Sequence, residues 1–177
     1  MPERQTAGAA LVATYVDRVF RFLRALTGDE EMAADLTQET FLRLHQALPR
    51  LPEGEIETGY VFATARNTAL SHLRRKGWEK RHLDFLPTEE LAEIAATGGG
   101  EDPAGELERS EIGRGLAGAL ARIPEEERAA FLLVEVEELS YAEVARVLGC
   151  PPGTVASRKH RAVRLLREAL RRNGLAL

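Results

Sequence analysis

The sequence SYAEVARVLGCPPGTVASRKHRAVRLLREAL, from Ser140 to Leu170, carries the clearest structural pattern in the chain. Ser140 followed by Glu143 is a capping box that predicts the start of a helix, and Gly149 predicts its end. The turn that follows places Pro152 at the first position of a second helix, which continues to about Arg172. A short capped helix, a tight turn and a longer basic helix together predict a helix-turn-helix unit.

A helical wheel separates the apolar and basic side chains of this last helix. Its apolar side carries Val155, Ala162, Leu166 and Leu170. In a recognition helix, the N-terminal residues meet base edges in the major groove, while later basic residues bind phosphates. An ordinary helix with a solvated basic face is the alternative, but the capped helix and turn before it favour DNA binding. The predicted contacts with duplex DNA are Thr154, Ser157, Arg158, Arg161, Arg164 and Arg167.

The remaining sequence is also helical in its periodicity, and it contains no alternating run or hairpin signal, so we predict an all-α fold. Three N-terminal helices are expected, at about 7–27, at about 30–48, and from Thr58 onward. Gly28 and Asp29 end the first helix and cap the second, and Thr58 is expected to cap the third. Two more are expected before Ser140, one near 111–122 and one that starts at Pro124 and reaches about Val136. The carboxylates of Glu125, Glu126 and Glu127 suit the N-terminus of the second of these helices.

Charge and composition divide the chain into two small helical domains and a connection between them. The net charge is -4 overall, but it is -8 over residues 87–127 and +4 over residues 128–177. Glycine, proline and surplus glutamate at 87–109 predict a flexible acidic linker between a domain at 1–86 and the helix-turn-helix domain at 110–177. A solvated loop within one domain is the alternative, although so long a structureless loop would be unusual. The basic C-terminal part indicates a polyanionic partner.

Catalysis has little support in the sequence. The four histidines have no metal-ligand spacing, and no phosphate-binding glycine loop or nucleophile elbow is present. Cys150, the single cysteine, fits a small half-buried residue in a turn better than a nucleophile. We therefore predict that the protein is not an enzyme and that it has no cofactor and no metal site. Without disulfides, a membrane-spanning run or a signal peptide, the composition predicts a soluble cytoplasmic protein.

A second basic cluster lies at the end of the third helix and just after it, with the aromatic residues Tyr60, Phe62 and Trp78 interleaved. Its basic residues are Arg74, Arg75, Lys76, Lys80 and Arg81, with Arg66 one or two turns earlier. Cations that follow phosphates and aromatic faces that stack on bases, at about 1–3 kcal/mol each, suit single-stranded nucleic acid. Phe62 is expected in the core, whereas Trp78 fits equally well at the edge of the core or on a stacking platform.

The second helix has a leucine on its polar side. Its apolar side is formed by Met32, Ala33, Leu36, Leu44 and Leu48, yet Leu42 lies opposite, among acidic and amide side chains. A single exposed leucine is normal on a protein surface. The functional alternative is a docking face for a helix of another protein, with Leu42 as its apolar centre.

Two separate stretches resemble the sigma-70 family of bacterial RNA polymerase sigma factors, in its extracytoplasmic-function (ECF) branch. DLTQETFLRLHQAL (Asp35 to Leu48) and VFATARNTALSHLRRKG (Val61 to Gly77) are similar to regions 2.1 to 2.4 of that family. The segment from Ala119 to Leu170 is similar to regions 4.1 and 4.2, and the predicted linker falls where the family has one.

The resemblance implies an alternative sigma factor that binds core RNA polymerase and directs promoter recognition and transcription initiation. It implies that the last helix reads the -35 duplex, and that the third helix and the loop before it read the -10 element as a single strand. The implied -10 contacts are Arg66, Asn67, Arg74, Arg75, Lys76, Trp78, Lys80 and Arg81. The implied contacts with the clamp helices of the largest polymerase subunit are Asp35, Gln38, Glu39, Phe41, Leu42 and His45.

An anti-sigma factor is a further partner that the resemblance implies. The rival hypothesis is a sigma-like regulator or adaptor that binds DNA without directing initiation, and the polymerase-facing helix argues against it. The acidic linker also predicts weak promoter binding by the free protein and a compact, masked free form.

The sequence departs from the family pattern at three places. Lys159 stands where the family usually has leucine, so this turn must pack shallowly or Lys159 must extend outward to a phosphate. Ser71 replaces a usual aspartate, and Gly59 with Tyr60 replaces a frequent Trp-Leu pair.

Overall fold

The computed structural model describes residues 2–50, 57–75, 115–116 and 118–172. Helix α1 spans Pro2–Thr27, α2 spans Glu30–Ala47 with a 3-10 turn at Leu48–Arg50, and α3 spans Thr58–Arg75. Residues 118–121 are helical, and α4 spans Glu125–Phe131 with a π-helical turn at Leu132–Val136. Helices α5 (Tyr141–Leu148) and α6 (Pro152–Arg172) complete the described chain. No strand occurs within these ranges, and the all-α prediction is confirmed.

Local caps define the helix ends as the sequence predicts. The Asp29 carboxylate accepts a hydrogen bond from the Met32 backbone N–H at 2.8 Å, which starts α2. The capping box of Ser140 and Glu143 is complete at the start of α5. Gly149 ends α5 with φ at 63°, the left-handed conformation that glycine adopts without steric strain.

Two predicted helix starts differ from the structure. The backbone N–H groups of Tyr60 and Val61 donate to the Glu57 carbonyl, so Glu57 rather than Thr58 lies at the N-terminal cap of α3. The Thr58 hydroxyl is instead 2.8 Å from that of Tyr15. Pro124 lies one residue outside α4, with φ at -53° and ψ at 147°. Both differences arise because a sequence pattern locates a helix end only to within a residue or two.

Helices α1, α2 and α3 pack around a shared apolar core. Val19, Leu23, Leu44 and Phe62 are fully or almost fully buried in it. The rings of Phe22 and Phe62 meet edge to face, with centroids 5.3 Å apart and an interplanar angle of 81°. The expectation that Phe62 belongs to the core is therefore confirmed.

The helix-turn-helix unit has its own apolar contacts along α6. All four residues predicted for the apolar side of the last helix are buried, namely Val155, Ala162, Leu166 and Leu170. Three of them pack with Ala119 and Ile123, which precede α4, whereas Val155 belongs to the larger core. The wheel of α6 therefore predicts correctly which face is turned inward.

The N-terminal helices and the helix-turn-helix unit are in contact with each other. Helix α3 packs on α5, and buried residues form one continuous cluster from Phe62 to Val144. The Arg18 guanidinium of α1 donates to the Glu137 carboxylate at 2.9 Å. The predicted linker at 87–109 lies outside the described residues. Within the described part of the chain, no helix is long and apolar enough to cross a membrane.

Burial makes Glu137 an acid whose ionisation opposes folding. Its side chain is only 4% exposed, and this desolvation raises its pKa above the ordinary 4.5, although the ion pair with Arg18 acts in the opposite direction. A carboxyl group whose pKa is raised by folding makes its full contribution to stability at pH values below the ordinary pKa. That contribution is lost as the pH rises through the raised pKa.

We therefore expect Glu137→Gln to gain stability relative to the parent chain as the pH increases from about 4.5 to 7. Glutamine is uncharged, and its side-chain oxygen can still accept from Arg18. Urea unfolding of both chains across this range measures the difference, since all other titrating groups are common to both. A variant that becomes relatively less stable as the pH increases would show that the ion pair outweighs burial.

Candidate nucleic-acid interface and docking face

Helix α6 exposes most of the side chains predicted to contact duplex DNA. Ser157, Arg161, Arg164 and Arg167 are exposed, whereas Thr154 and Arg158 are half-buried. The opposite side of the helix is held by Val155, Ala162 and Leu166 in the core. The fold therefore presents the N-terminal half of α6 as a basic surface, the part of a recognition helix that enters a major groove.

Two arginines of this surface are ion-paired to the first turn of α4. The Arg158 guanidinium contacts the Glu126 carboxylate, and Arg161 Nη1 lies 3.0 Å from Glu127 Oε1. The Glu127 side chain is only 11% exposed, but that of Arg161 is 59% exposed. These carboxylates of α4 therefore fix the orientation of the two guanidinium groups on α6. Arg164 and Arg167, by contrast, have no ion pair with any described residue.

Three consecutive carboxylates in α4 thus bind three arginines from two parts of the chain. Glu126 and Glu127 contact α6, and Glu125 accepts two hydrogen bonds from Arg66 of α3, at 3.0 and 3.2 Å. The sequence predicted these acids only as favourable charges at a helix N-terminus. Their arginine partners are distant in sequence, and no local pattern identifies such pairs.

Lys159 is packed shallowly against its own helix-turn-helix unit. Its ammonium group contacts the Glu135 carboxylate of the π-helical turn and lies 3.5 Å from the Tyr141 hydroxyl. The hydrogen bond with Glu135 raises the pKa of Lys159 above its ordinary value. These contacts correspond to the first of the two predicted alternatives, shallow packing.

We expect Lys159→Leu to leave the salt dependence of promoter binding by the polymerase complex unchanged. Each protein cation that neutralises a phosphate contributes close to one unit to the slope of affinity against salt, on logarithmic axes. Lys159 is paired to Glu135, so its removal takes no such contact away. The exposed Arg164 provides the matched control, because Arg164→Leu should reduce the slope by about one. A similar reduction for Lys159→Leu would show that Lys159 contacts DNA.

The basic end of α3 is only partly accessible. Asn67, Arg74 and Arg75 are exposed. Arg66, however, is 7% exposed because its guanidinium is directed into the contact with Glu125, so in this arrangement it is not available to a nucleic acid. Four further predicted contacts lie outside the described residues, namely Lys76, Trp78, Lys80 and Arg81.

Leu42 lies at the edge of an open apolar groove between α1 and α2. Its side chain is exposed, with 53% of the residue surface accessible, and Asp35, Gln38 and His45 around it are exposed as well. The groove has a volume of about 630 Å³. Two other predicted docking residues are less accessible: Glu39 is ion-paired to Arg43, and Phe41 packs partly on the core.

The α1 side of this groove was not predicted from the sequence. Val12, Val16 and Phe20 line it opposite Leu42 and Phe41. Their spacing of four residues is a second apolar stripe on α1, beside the one that enters the core, and that pattern could have indicated the groove. An apolar groove rimmed by polar side chains suits the apolar face of a partner helix.

Comparison with known proteins gives matches to the N-terminal helices and to the helix-turn-helix unit. Residues 11–79 match the family description "Sigma-70 region 2", and residues 114–166 match "Sigma-70, region 4". The ECF RNA polymerase sigma factor SigE of Mycolicibacterium smegmatis is 38% identical over 162 residues, which cover 90% of this chain and 60% of that protein. The RNA polymerase sigma-H factor of Pseudomonas aeruginosa is 32% identical over 164 residues, with 90% and 84% coverage.

A solved structure has the same fold. The sigma factor RpoE from Bartonella quintana, in complex with the anti-sigma factor NepR, superposes with a TM-score of 0.72 and 24% sequence identity. The superposition covers 92% of this chain and 96% of that one. Together with the matches to regions 2 and 4, which follow each other in the family order, the curated relatives decide the assignment. The chain belongs to the sigma-70 family of RNA polymerase sigma factors, in its ECF branch.

Proposed function

We propose that this chain is an alternative sigma factor that binds core RNA polymerase and directs it to promoters. The observation that carries the proposal is the presence of two different surfaces on one chain. Helix α6 exposes arginines in the helix-turn-helix unit, and the groove between α1 and α2 exposes Leu42 among the N-terminal helices. A DNA-binding regulator needs only the first surface, whereas a sigma factor needs both.

The α1–α2 groove is the surface we assign to the polymerase. Clamp helices of the largest polymerase subunit would place apolar side chains between Leu42 and Val12, which are 53% and 42% exposed. Asp35, Gln38 and His45 would form the polar rim. Interfaces of this kind combine an apolar centre with polar groups that remain partly solvated.

Promoter DNA is the partner we assign to α6 and α3. Helix α6 would read the -35 duplex through Ser157, Arg158 and Arg161, with Arg164 and Arg167 on phosphates. The exposed end of α3, with Asn67, Arg74 and Arg75, would contact the -10 element as a single strand. Because the polymerase supplies the nucleotide chemistry, family membership agrees with the expectation that this chain is not an enzyme.

Run-off transcription with core polymerase tests the proposal. Addition of the chain to core polymerase and a library of genomic promoter fragments should give transcripts with defined start sites, and core polymerase alone should not. A matched reaction with Leu42→Asp should lose these transcripts while the variant still folds. DNA binding without any defined transcript would favour the rival, a sigma-like regulator or adaptor.

An anti-sigma factor is a further proposed partner. The sigma factor RpoE of Bartonella quintana is in complex with the anti-sigma factor NepR in its solved structure. The exposed groove of this chain offers an apolar surface that such a protein could cover. A candidate inhibitor should suppress run-off transcription in proportion to its concentration. An inhibitor that forms no complex with the purified chain would act elsewhere and would not be its anti-sigma factor.

A further inference from the structure

Arg161 and Glu127 form an ion pair in which the acid is buried and the base is exposed. Arg161 Nη1 donates to Glu127 Oε1 at 3.0 Å, and the exposed fractions of the two side chains are 59% and 11%. The carboxylate therefore lies behind the guanidinium, on the side away from solvent. Arg161 Nε and Nη2 make no hydrogen bond with any described residue, so the guanidinium keeps donors for a partner outside the chain.

The fold fixes the position of both residues in this pair. Glu127 is one of the buried residues of α4, and α4 packs along α6. Ala162, which follows Arg161, is completely buried and packs with Ala119 and Ile123. A side chain has few alternative positions when both its own backbone and the group that binds it belong to packed helices. The pair therefore holds the Arg161 guanidinium in one place on the surface of α6.

The neighbouring pair of Arg158 and Glu126 has the opposite arrangement. There the arginine side chain is 19% exposed and the carboxylate side chain is 55% exposed. Because its carboxylate is well hydrated, a pair of this kind constrains its partner only weakly. Glu126 is adjacent to Glu127 in the sequence, and its partner also belongs to the N-terminal half of α6. The two pairs therefore allow a direct comparison between an exposed carboxylate and a buried one.

An arginine that reads a base must give up most of its side-chain freedom when it binds. Immobilisation of one such side chain reduces affinity by roughly 2- to 12-fold. Glu127 removes this freedom from Arg161 before DNA arrives. An arginine without such an anchor can also turn toward a phosphate or toward an acceptor of a wrong base, whereas a fixed guanidinium fits the O6 and N7 acceptors of guanine at one place. Anchoring therefore increases the difference in affinity between the right and the wrong base.

We propose that Glu127 is a positioning residue for base recognition, which sets the discrimination at one base pair of the -35 element by holding Arg161 from behind. This inference rests on the proposed function, in which α6 reads the -35 duplex. Discrimination at that base pair then depends on the Glu127 carboxylate even when Arg161 is present. If Glu127 had only a structural role, its removal would instead change the affinity for all sequences alike.

Selection from a duplex library randomised over the -35 element, with the full chain bound to core polymerase, measures this role. Glu127→Ala should reduce the preference for guanine at the position read by Arg161 by about threefold to tenfold. The variant should still fold, because Arg161 is 59% exposed and stays hydrated without the carboxylate. Glu127→Gln keeps an uncharged acceptor and should keep part of the preference. Glu126→Ala is the matched control and should leave the preference at that position unchanged.

A double-variant cycle tests whether Glu127 acts through Arg161. The position read by Arg161 is the one at which Arg161→Ala loses its base preference. In that background, the addition of Glu127→Ala should cause no further loss, because the side chain through which Glu127 acts is absent. An equal loss in both backgrounds would overturn the inference. A parental base preference in Glu127→Ala with Arg161 present would overturn it as well.

The outcomes also separate this inference from the proposed function. Defined transcripts from the parent chain with core polymerase establish the function, whatever Glu127→Ala does to the base preference. If the parent chain starts no transcript, the proposed function fails. The same library, selected with the free chain at low salt, then still tests Glu127, since low salt strengthens the phosphate contacts. A parent chain without base preference in either selection would overturn the role of Glu127 too.

Discussion

Leu42→Ala is expected to weaken binding to core RNA polymerase by about 30-fold or more, which corresponds to about 2 kcal/mol for a central apolar anchor. The melting temperature should change by no more than about one degree, since Leu42 is 53% exposed and its side chain supports little of the fold. Competition between the parent and variant chains for limiting core polymerase measures the first quantity. A thermal melt of the free chains measures the second.

Leu44, two residues further along α2, is the matched control. Leu44 is completely buried, so Leu44→Ala should destabilise the chain by about 2–5 kcal/mol. The folded fraction of that variant should compete for polymerase as the parent chain does. If Leu42→Ala lowers the melting temperature as Leu44→Ala does, and its folded fraction binds normally, the docking face is misassigned.

The parts of the fold that the sequence predicted correctly depend on a few neighbouring residues. Asp29 caps α2 through a backbone N–H three residues away, and the Ser140–Glu143 box closes over the same distance. The inward face of α6 follows from one helical period, with Val155 and Leu166 on the same side. Both kinds of pattern, the cap and the amphipathic face, involve only residues of one helix. They can therefore be interpreted without knowledge of the tertiary contacts.

The parts that the sequence did not predict depend on residues far apart in the chain. Arg66 was placed on a nucleic-acid surface because the end of its helix is basic, but its partner Glu125 is 59 residues away. The Lys159 ammonium likewise contacts Glu135 on a neighbouring element. The charge pattern of a helix shows that a side chain needs a partner, but it does not show whether that partner is a phosphate or a carboxylate of the same chain.

Arg158→Ala and Arg161→Ala are expected to change the bases preferred in the -35 element and to reduce initiation at promoters that depend on it. A bidentate contact between arginine and guanine discriminates by about 1–3 kcal/mol, or roughly 5- to 150-fold between the right and wrong base. Arg167→Ala should instead weaken binding evenly across sequences and reduce the salt slope, because its position further along α6 suits a phosphate contact. Run-off transcription from randomised -35 elements measures both effects.

The ion pairs of α6 allow the loss of base contacts to be separated from the loss of stability. Removal of Arg161 leaves the Glu127 carboxylate, 11% exposed, without its partner, so Arg161→Ala should also lower the melting temperature. Arg158→Ala should lower it less, because the Glu126 side chain is 55% exposed and remains hydrated. The double variant Arg161→Ala/Glu127→Gln should regain most of the lost stability and keep the altered base preference. If all three arginine variants retain the parental base preference, α6 does not read the -35 element through these side chains.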